Sequence, residues 1–393
     1  MPAASEEEAE EAEEAGEAGL ARPSGPVPMD AYDYGLPADA IAQQPVEPRS
    51  AARLLVSSRV SSSGTMEHAT VSDLPTLLRA GDVVVVNDTR VLAARLPLVK
   101  VTGGGAEVLL LEPIDVAGSR WEALVRPGRR LPPGTRLHER APGSPEGRPG
   151  PPPLGPPVVE IGKPVAGGDD SRRSVRLIDP TVIERAGLMP LPPYIHRRLD
   201  DPERYQTVYA ADLDPGDRST AAPTAGLHFT AELLDACRRA GAEVVTVDLA
   251  IGLDTFRPIT APTPAGHVIH RERYRVPAAT LDACARAERV VAVGTTVVRA
   301  LESAASTGRL SGRTDLFIYG EHTFRAVDLL VTNFHLPRSS LLLMVEAFCG
   351  QEWRQLYASA LAEGYRFLSF GDAMVVARAG PKGRPVARLE PGR

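Results

Sequence analysis

The stretch "AATLDACARAERVVAVGTTVVRALESAAS", residues 278–306, decides the fold class. It reads as a helix, a buried strand "VVAVG", and a second helix that starts at two threonines. The same order precedes it in residues 230–252, "TAELLDACRRAGAEVVTVDLAIG", where Gly241 stops a helix before an apolar strand. "DLLVTNF" and "LLLMVEAF" then add another strand and another helix. Helices alternating with apolar strands predict an α/β domain with a mostly parallel sheet.

Working outward, residues 51–56, "AARLLV", and 83–86, "VVVV", read as strands. From Val83 to about Val125, short apolar runs alternate with Gly-rich turns and carry no helical period, which predicts an inserted small β-barrel. The expected organisation is an acidic disordered tail over 1–28, an α/β catalytic domain over 29–87 and 180–380, a barrel over 88–179 and a flexible tail over 381–393. Residues 141–170 are dense in Pro and Gly and read as a loop within the barrel.

The chain is 43% hydrophobic and 24% charged, a globular balance. Eight of its 50 acidic side chains fall in the first 19 residues, which hold no Lys or Arg. Without them the formal charge of −6 disappears, and the body neither demands nor excludes a nucleic-acid partner. Three separated cysteines, Cys237, Cys284 and Cys349, lack disulfide or metal spacing and fit a reducing compartment. No signal segment or membrane-length apolar run is read, so a cytoplasmic location with no membrane partner is expected. Nothing reads as a coiled-coil heptad, and a monomer is expected.

Four stretches carry candidate chemistry. In "TAAPTAGLHFTAELL", residues 220–234, His228 stands between a small-residue turn with Thr224 and Gly226 and a helix capped by Thr230. That placement suits anion binding or proton transfer, and equally suits a packed structural histidine. "HVIHRERY", residues 267–274, puts His270 and Glu272 on one face of an extended segment, a pairing better suited to a hydrogen bond than to a metal. "VVAVGTTVVRALE", residues 290–302, places Gly294, Thr295, Thr296 and Arg299 where α/β sheets bind ligands. "TNFHLP", residues 332–337, repeats this with Asn333 and His335. The common hydrolase, kinase, P-loop and metalloprotease motifs are absent, and no metal site is expected.

These segments occur in order with "YDYGLPADAIAQQPVEPRSAARLLV" (32–56), "GDVVVVNDTRVLAARL" (81–96), "WEALVRPGRRL" (121–131), "GLMPLPPYIHR" (187–197), "DPERYQTVYA" (201–210), "GLDTFRPI" (252–259) and "YRFLSFGDAM" (365–374). Together they resemble the S-adenosylmethionine:tRNA ribosyltransferase-isomerase family of queuosine biosynthesis. The resemblance implies that the ribosyl part of S-adenosylmethionine is transferred to 7-aminomethyl-7-deazaguanine in a tRNA anticodon loop. The sugar is isomerised to give epoxyqueuosine, with loss of adenine and methionine. S-adenosylmethionine is then a consumed co-substrate, with no tightly bound cofactor. Neutral-range acids and bases are needed, and His228, His270 with Glu272, and His335 stand at matching positions. Thr224, Gly226, Thr295, Thr296, Arg299 and Asn333 become expected substrate contacts, and Tyr205 and Phe256 expected stacking platforms. Arg53, Arg90, Arg95 and Arg257 are expected tRNA phosphate contacts. Arg218, Asp254, Arg271 and Val297 depart from the family pattern, with Arg218 and Asp254 a candidate compensating pair. The departures keep open a divergent paralogue acting on another base or small molecule, and a non-catalytic RNA-binding relative is the third reading.

Overall fold

The computed structural model describes residues 27–115, 117–140, 155–165 and 171–383. The acidic segment before residue 27, residues 141–154 and 166–170 of the Pro/Gly-rich loop, and the tail after 383 lie outside them.

The first two strands, β1 (Arg53–Val56) and β2 (Glu67–Thr70), form an antiparallel pair at one edge of a nine-stranded sheet. β3 (Asp82–Asn87) lies at the sheet centre and is buried along its whole length. Its four consecutive valines suit that position, because β-branched side chains pack well on both faces of a covered strand. The run from Val83 therefore opens in the sheet, and the barrel begins only at Arg95.

The barrel closes through β4 (Arg95–Lys100), β5 (Gly105–Pro113), β6 (Arg120–Arg126), β7 (Arg136–Glu139), β8 (Pro157–Pro164) and β9 (Arg172–Leu177). Alternation does the work: Trp121, Ala123 and Val125 of β6 point inward with Leu96, Leu98, Val108, Val159 and Val175. A short helix, α1 (Val182–Ala186), leads the chain back.

The remaining elements are α2 (Ala231–Arg239), β10 (Glu243–Leu249), β11 (Glu272–Arg275), α3 (Ala278–Arg286), β12 (Arg289–Val293), α4 (Thr295–Thr307), β13 (Ser311–Thr314), β14 (Leu329–Asn333), α5 (Ser340–Cys349), α6 (Glu352–Ala362) and β15 (Ala373–Ala377). The sheet order is β13-β11-β10-β3-β12-β14-β15-β1-β2. The four central strands, β10, β3, β12 and β14, run parallel, and antiparallel pairings flank them on both sides.

The period of two along β3 splits the core into layers. Val83 and Val85 pack with Val297, Val298 and Leu301 of α4 and with Leu342 and Val345 of α5. Val84 and Val86 face the other way, onto Phe229 and onto Leu233, Leu234 and Cys237 of α2. Thr230 caps α2 as its sequence indicates, with Oγ1 accepting from Leu233 N–H at 3.2 Å. Gly241 ends that helix at φ +93°, a conformation that favours glycine.

Candidate active site

The parallel strands β3, β10, β12 and β14 all end at one rim of the sheet, so Asn87, Leu249, Val293 and Asn333 are brought together. Gly294 turns β12 into α4 with φ +96° and ψ 151°, which a side chain would strain. Thr295 and Thr296 follow at the helix start, where backbone N–H groups have no helical partner. Both line a cleft of about 270 Å³ together with Arg257, His267, His270, Glu272, Arg299 and Phe317. A smaller chamber of about 30 Å³, room for a water or two, is lined by Thr224, Tyr194, Phe256, Asn333, His335 and Ser369. Thr255 and Leu341 border both spaces, so the two adjoin.

Asn333 organises the smaller chamber. Its Oδ1 accepts from Thr224 Oγ1 at 2.9 Å, and its Nδ2 donates to the Asp372 carbonyl at 3.2 Å. A carbonyl only accepts, so Nδ2 must also be the donor in the 3.0 Å contact with His228 Nε2. His228 is thereby fixed as the neutral tautomer with its proton on Nδ1. Burial lowers its pKa to about 4, although the Asp372 charge opposes that shift. The imidazole is 5% exposed, stands behind Asn333 and borders neither space. It holds Asn333, and through Asn333 the chamber wall.

His335 does border the smaller chamber. Its Nε2 contacts Thr332 Oγ1 at 2.9 Å, its N–H donates to Tyr357 Oη at 2.9 Å, and its carbonyl accepts from Tyr34 Oη. Desolvation lowers its pKa to about 3, so it too is neutral near pH 7.

In the wider cleft, Glu272 and Arg299 form a buried ion pair. Glu272 Oε1 accepts from Gly252 N–H at 3.0 Å and from Thr255 Oγ1 at 3.4 Å. Arg299 also donates to the carbonyls of Leu316 at 3.2 Å and Thr314 at 3.4 Å. The expected His270–Glu272 pair is therefore replaced by Glu272–Arg299, because β11 turns Glu272 inward onto α4 while His270, just before the strand, is exposed. Arg299 serves that carboxylate and two carbonyls, so its guanidinium is not an open receptor for a substrate carboxylate.

Other expectations need correction. Gly226 leaves no room for a ligand: a Cβ there would lie 2.0 Å from Tyr209 Oη and 3.0 Å from Thr207 Cγ2. Tyr205 is wholly buried, edge-on to Phe370 at 6.0 Å, and offers no face for stacking. Phe256 does border the smaller chamber but is nearly buried, edge-on to Tyr194. Thr296 Oγ1 accepts from Asn87 Nδ2 at 3.2 Å, so this hydroxyl ties β3 to α4 as well as bordering the cleft. Arg53 lies 3.8 Å over the Tyr365 ring and donates to the Glu363 carbonyl. Arg90 pairs with Glu203 at 3.4 Å and Arg95 with Glu107 at 3.3 Å. Of these four arginines, Arg257 is the one that borders the cleft.

Three of the four departures from the family pattern have local surroundings that the structure describes. Val297 is fully buried in the core, and Arg271 pairs with Asp315 at the surface, 3.6 Å away. Arg218 meets Asp212 at 3.9 Å and the Leu213 carbonyl at 2.8 Å, while the Asp254 side chain lies outside the described residues. Sequence reasoning missed Tyr194, whose hydroxyl bonds Ser369 Oγ at 2.7 Å across the chamber, and Phe317 in the cleft. Tyr194 sits in "GLMPLPPYIHR" and Phe317 in "TDLFIY", residues 314–319, and an aromatic beside a polar turn is the signal that marks each. Among the described residues no cluster of His, Cys, Asp and Glu could hold a metal ion, and no helix is long and apolar enough to cross a membrane.

Known proteins resemble this chain along most of its length. The family described as "Queuosine biosynthesis protein" matches residues 29–376. An S-adenosylmethionine:tRNA ribosyltransferase-isomerase of Symbiobacterium thermophilum is 46% identical over 359 residues, covering 88% of this chain and 98% of the relative. One from Moorella thermoacetica is 47% identical over 359 residues, covering 88% and 99%. A crystal structure of an S-adenosylmethionine tRNA ribosyltransferase from Thermotoga maritima is 32% identical, covers 88% of this chain and 99% of its own, and superposes with a TM-score of 0.47. With the family matched over most of the chain and relatives near 46% identity over almost their full length, the chain belongs to the S-adenosylmethionine:tRNA ribosyltransferase-isomerase family of queuosine biosynthesis.

Proposed function

We propose that this chain transfers the ribosyl moiety of S-adenosylmethionine to the aminomethyl group of 7-aminomethyl-7-deazaguanine in a tRNA anticodon loop. It isomerises the sugar to the epoxycyclopentanediol and releases adenine and methionine. The observation that carries this reading is the pair of adjoining spaces at the ends of β12 and β14, one large and one small. A reaction that joins two large substrates and expels two products fits such a divided crevice.

The chemistry distributes tasks among the residues in reach. The amine must be neutral to attack, a base must take the C5′ proton acidified by the sulfonium, and an acid must assist adenine as it leaves. His270, exposed at the cleft, is assigned a proton transfer. His335, kept neutral by burial, is assigned a hydrogen bond toward the substrate at the wall of the smaller chamber. Glu272 presents its Arg299-paired carboxylate to the cleft that receives the sulfonium. Thr224, Thr295 and Asn333 supply hydrogen bonds to ribose or methionine, and His228 fixes Asn333. S-adenosylmethionine is consumed rather than held as a resident cofactor. We place the enzyme in the cytoplasm, where its tRNA substrate is, and acting as a monomer, which size-exclusion chromatography checks.

The test is incubation with S-adenosylmethionine and tRNA carrying the aminomethyl deazaguanine, followed by nucleoside mass spectrometry and measurement of adenine release. Epoxyqueuosine with matching adenine supports the reading. Adenine without modified tRNA would overturn it in favour of a different acceptor.

A further inference from the structure

The wider cleft has a wall of aromatic rings. Between β13 and β14, Ile318 is buried, Phe317 is half-buried and Tyr319 is exposed. The Phe317 and Tyr319 rings lie 4.7 Å apart, centroid to centroid, with planes 40° apart. His267 stands against Phe317 at 5.4 Å and 69°. Phe317 and His267 border the cleft, while Tyr319 continues the row outward and is 37% exposed. Beside them Val268 is 84% exposed, so an apolar, ring-lined surface faces solvent at the mouth of a cleft.

Among the described residues that line the cleft, the charged side chains are Arg257 and the paired Glu272 and Arg299. The two rings that the sequence offered for stacking, Tyr205 and Phe256, are buried.

Resting on the tRNA reading above, we infer that His267, Phe317 and Tyr319 form a stacking subsite for unpaired bases of the anticodon loop, with Arg257 meeting an adjoining phosphate. Every base has a π-face, so such a platform binds a splayed loop without reading its edges, and a guanidinium suits the backbone. An adenine ring from S-adenosylmethionine held in the cleft would meet only Phe317 and His267 of this row. The row instead extends past the cleft to Tyr319, as successive bases of a strand require.

The full-length protein is titrated, without S-adenosylmethionine, against an anticodon stem-loop RNA carrying the aminomethyl deazaguanine, and against the same RNA closed into a duplex. Tyr319→Ala is expected to raise the RNA Kd by about 5- to 100-fold, the loss of one base stack, and Tyr319→Phe to restore it. The KM for S-adenosylmethionine stays unchanged in both, and the duplex binds weakly to all forms. Arg257→Gln is expected to lower the salt slope of log Kd by about one. Unchanged RNA affinity in Tyr319→Ala, or a defect confined to the KM for S-adenosylmethionine, overturns the subsite while wild-type turnover leaves the tRNA reading intact. Wild-type protein that neither binds nor modifies the RNA overturns the tRNA reading itself, and the subsite with it.

Discussion

Removing one partner of the Glu272–Arg299 pair is expected to be among the most damaging polar changes available in this chain. Both side chains are 7% exposed. Glu272→Gln keeps an acceptor for Gly252 N–H, but leaves the Arg299 guanidinium with the Leu316 and Thr314 carbonyls and no counter-charge. Arg299→Leu does the reverse, stranding a carboxylate with one N–H and a long hydroxyl contact. An uncompensated buried charge costs about 3–5 kcal/mol, whereas an exposed pair is worth about 0–1 kcal/mol. Each single variant should therefore lose about 3–5 kcal/mol in urea unfolding, with a fall in Tm of about 4–6 °C. The double variant Glu272→Gln/Arg299→Leu leaves neither charge unpaired, so its loss should fall short of the summed single losses by at least about 1.5 kcal/mol. Single losses below about 1 kcal/mol, or strict additivity in the cycle, would refute the pairing as the organiser of the cleft wall.

Acid should destabilise the fold through His228 and His335. Their folded pKa values, about 4 and about 3, lie below the ordinary 6.5, so below pH 6.5 the unfolded chain binds more protons. Stability should be flat above that pH and fall as pH drops toward 4, by at most about 1.4 kcal/mol per pH unit for each imidazole, and His228→Gln should flatten the slope seen in urea melts. Gly226→Ala should lose about 1–3 kcal/mol from its collision with Tyr209 Oη, and adding Tyr209→Phe should recover part of the loss in thermal melts. Asn333→Ala removes the bonds to Thr224, His228 and the Asp372 carbonyl, and kcat should fall with little change in RNA affinity. His228→Asn should lower kcat in the same direction but less, because it acts through Asn333; a larger defect in His228→Asn than in Asn333→Ala would contradict that order.

Local pattern carried much of the architecture. Four valines in a row, Val83–Val86, fit only a strand covered on both faces, and "VVAVG" before two threonines marks a strand turning into a helix. Thr230 and Gly241 bracket α2 through capping and φ preferences that operate over a few residues. The barrel was legible from its alternation, but β3 was drawn into the same run because apolar strands look alike whichever sheet they join.

What the sequence by itself determined about this protein is the α/β class, the inserted barrel and the family, because period, caps and ordered motifs are written in neighbouring residues. The tertiary structure alone decided which groups meet. Glu272 and Arg299 lie 27 residues apart and pair because β11, between β10 and β13, faces α4. His228 and Asn333 lie 105 apart and meet because the Thr224–His228 turn passes over the end of β14. Burial then set what these groups can do, fixing His228 neutral behind Asn333 and filling the space at Gly226 with Tyr209. Desolvation and close packing depend on what surrounds a residue in three dimensions, and one-dimensional spacing holds no record of that.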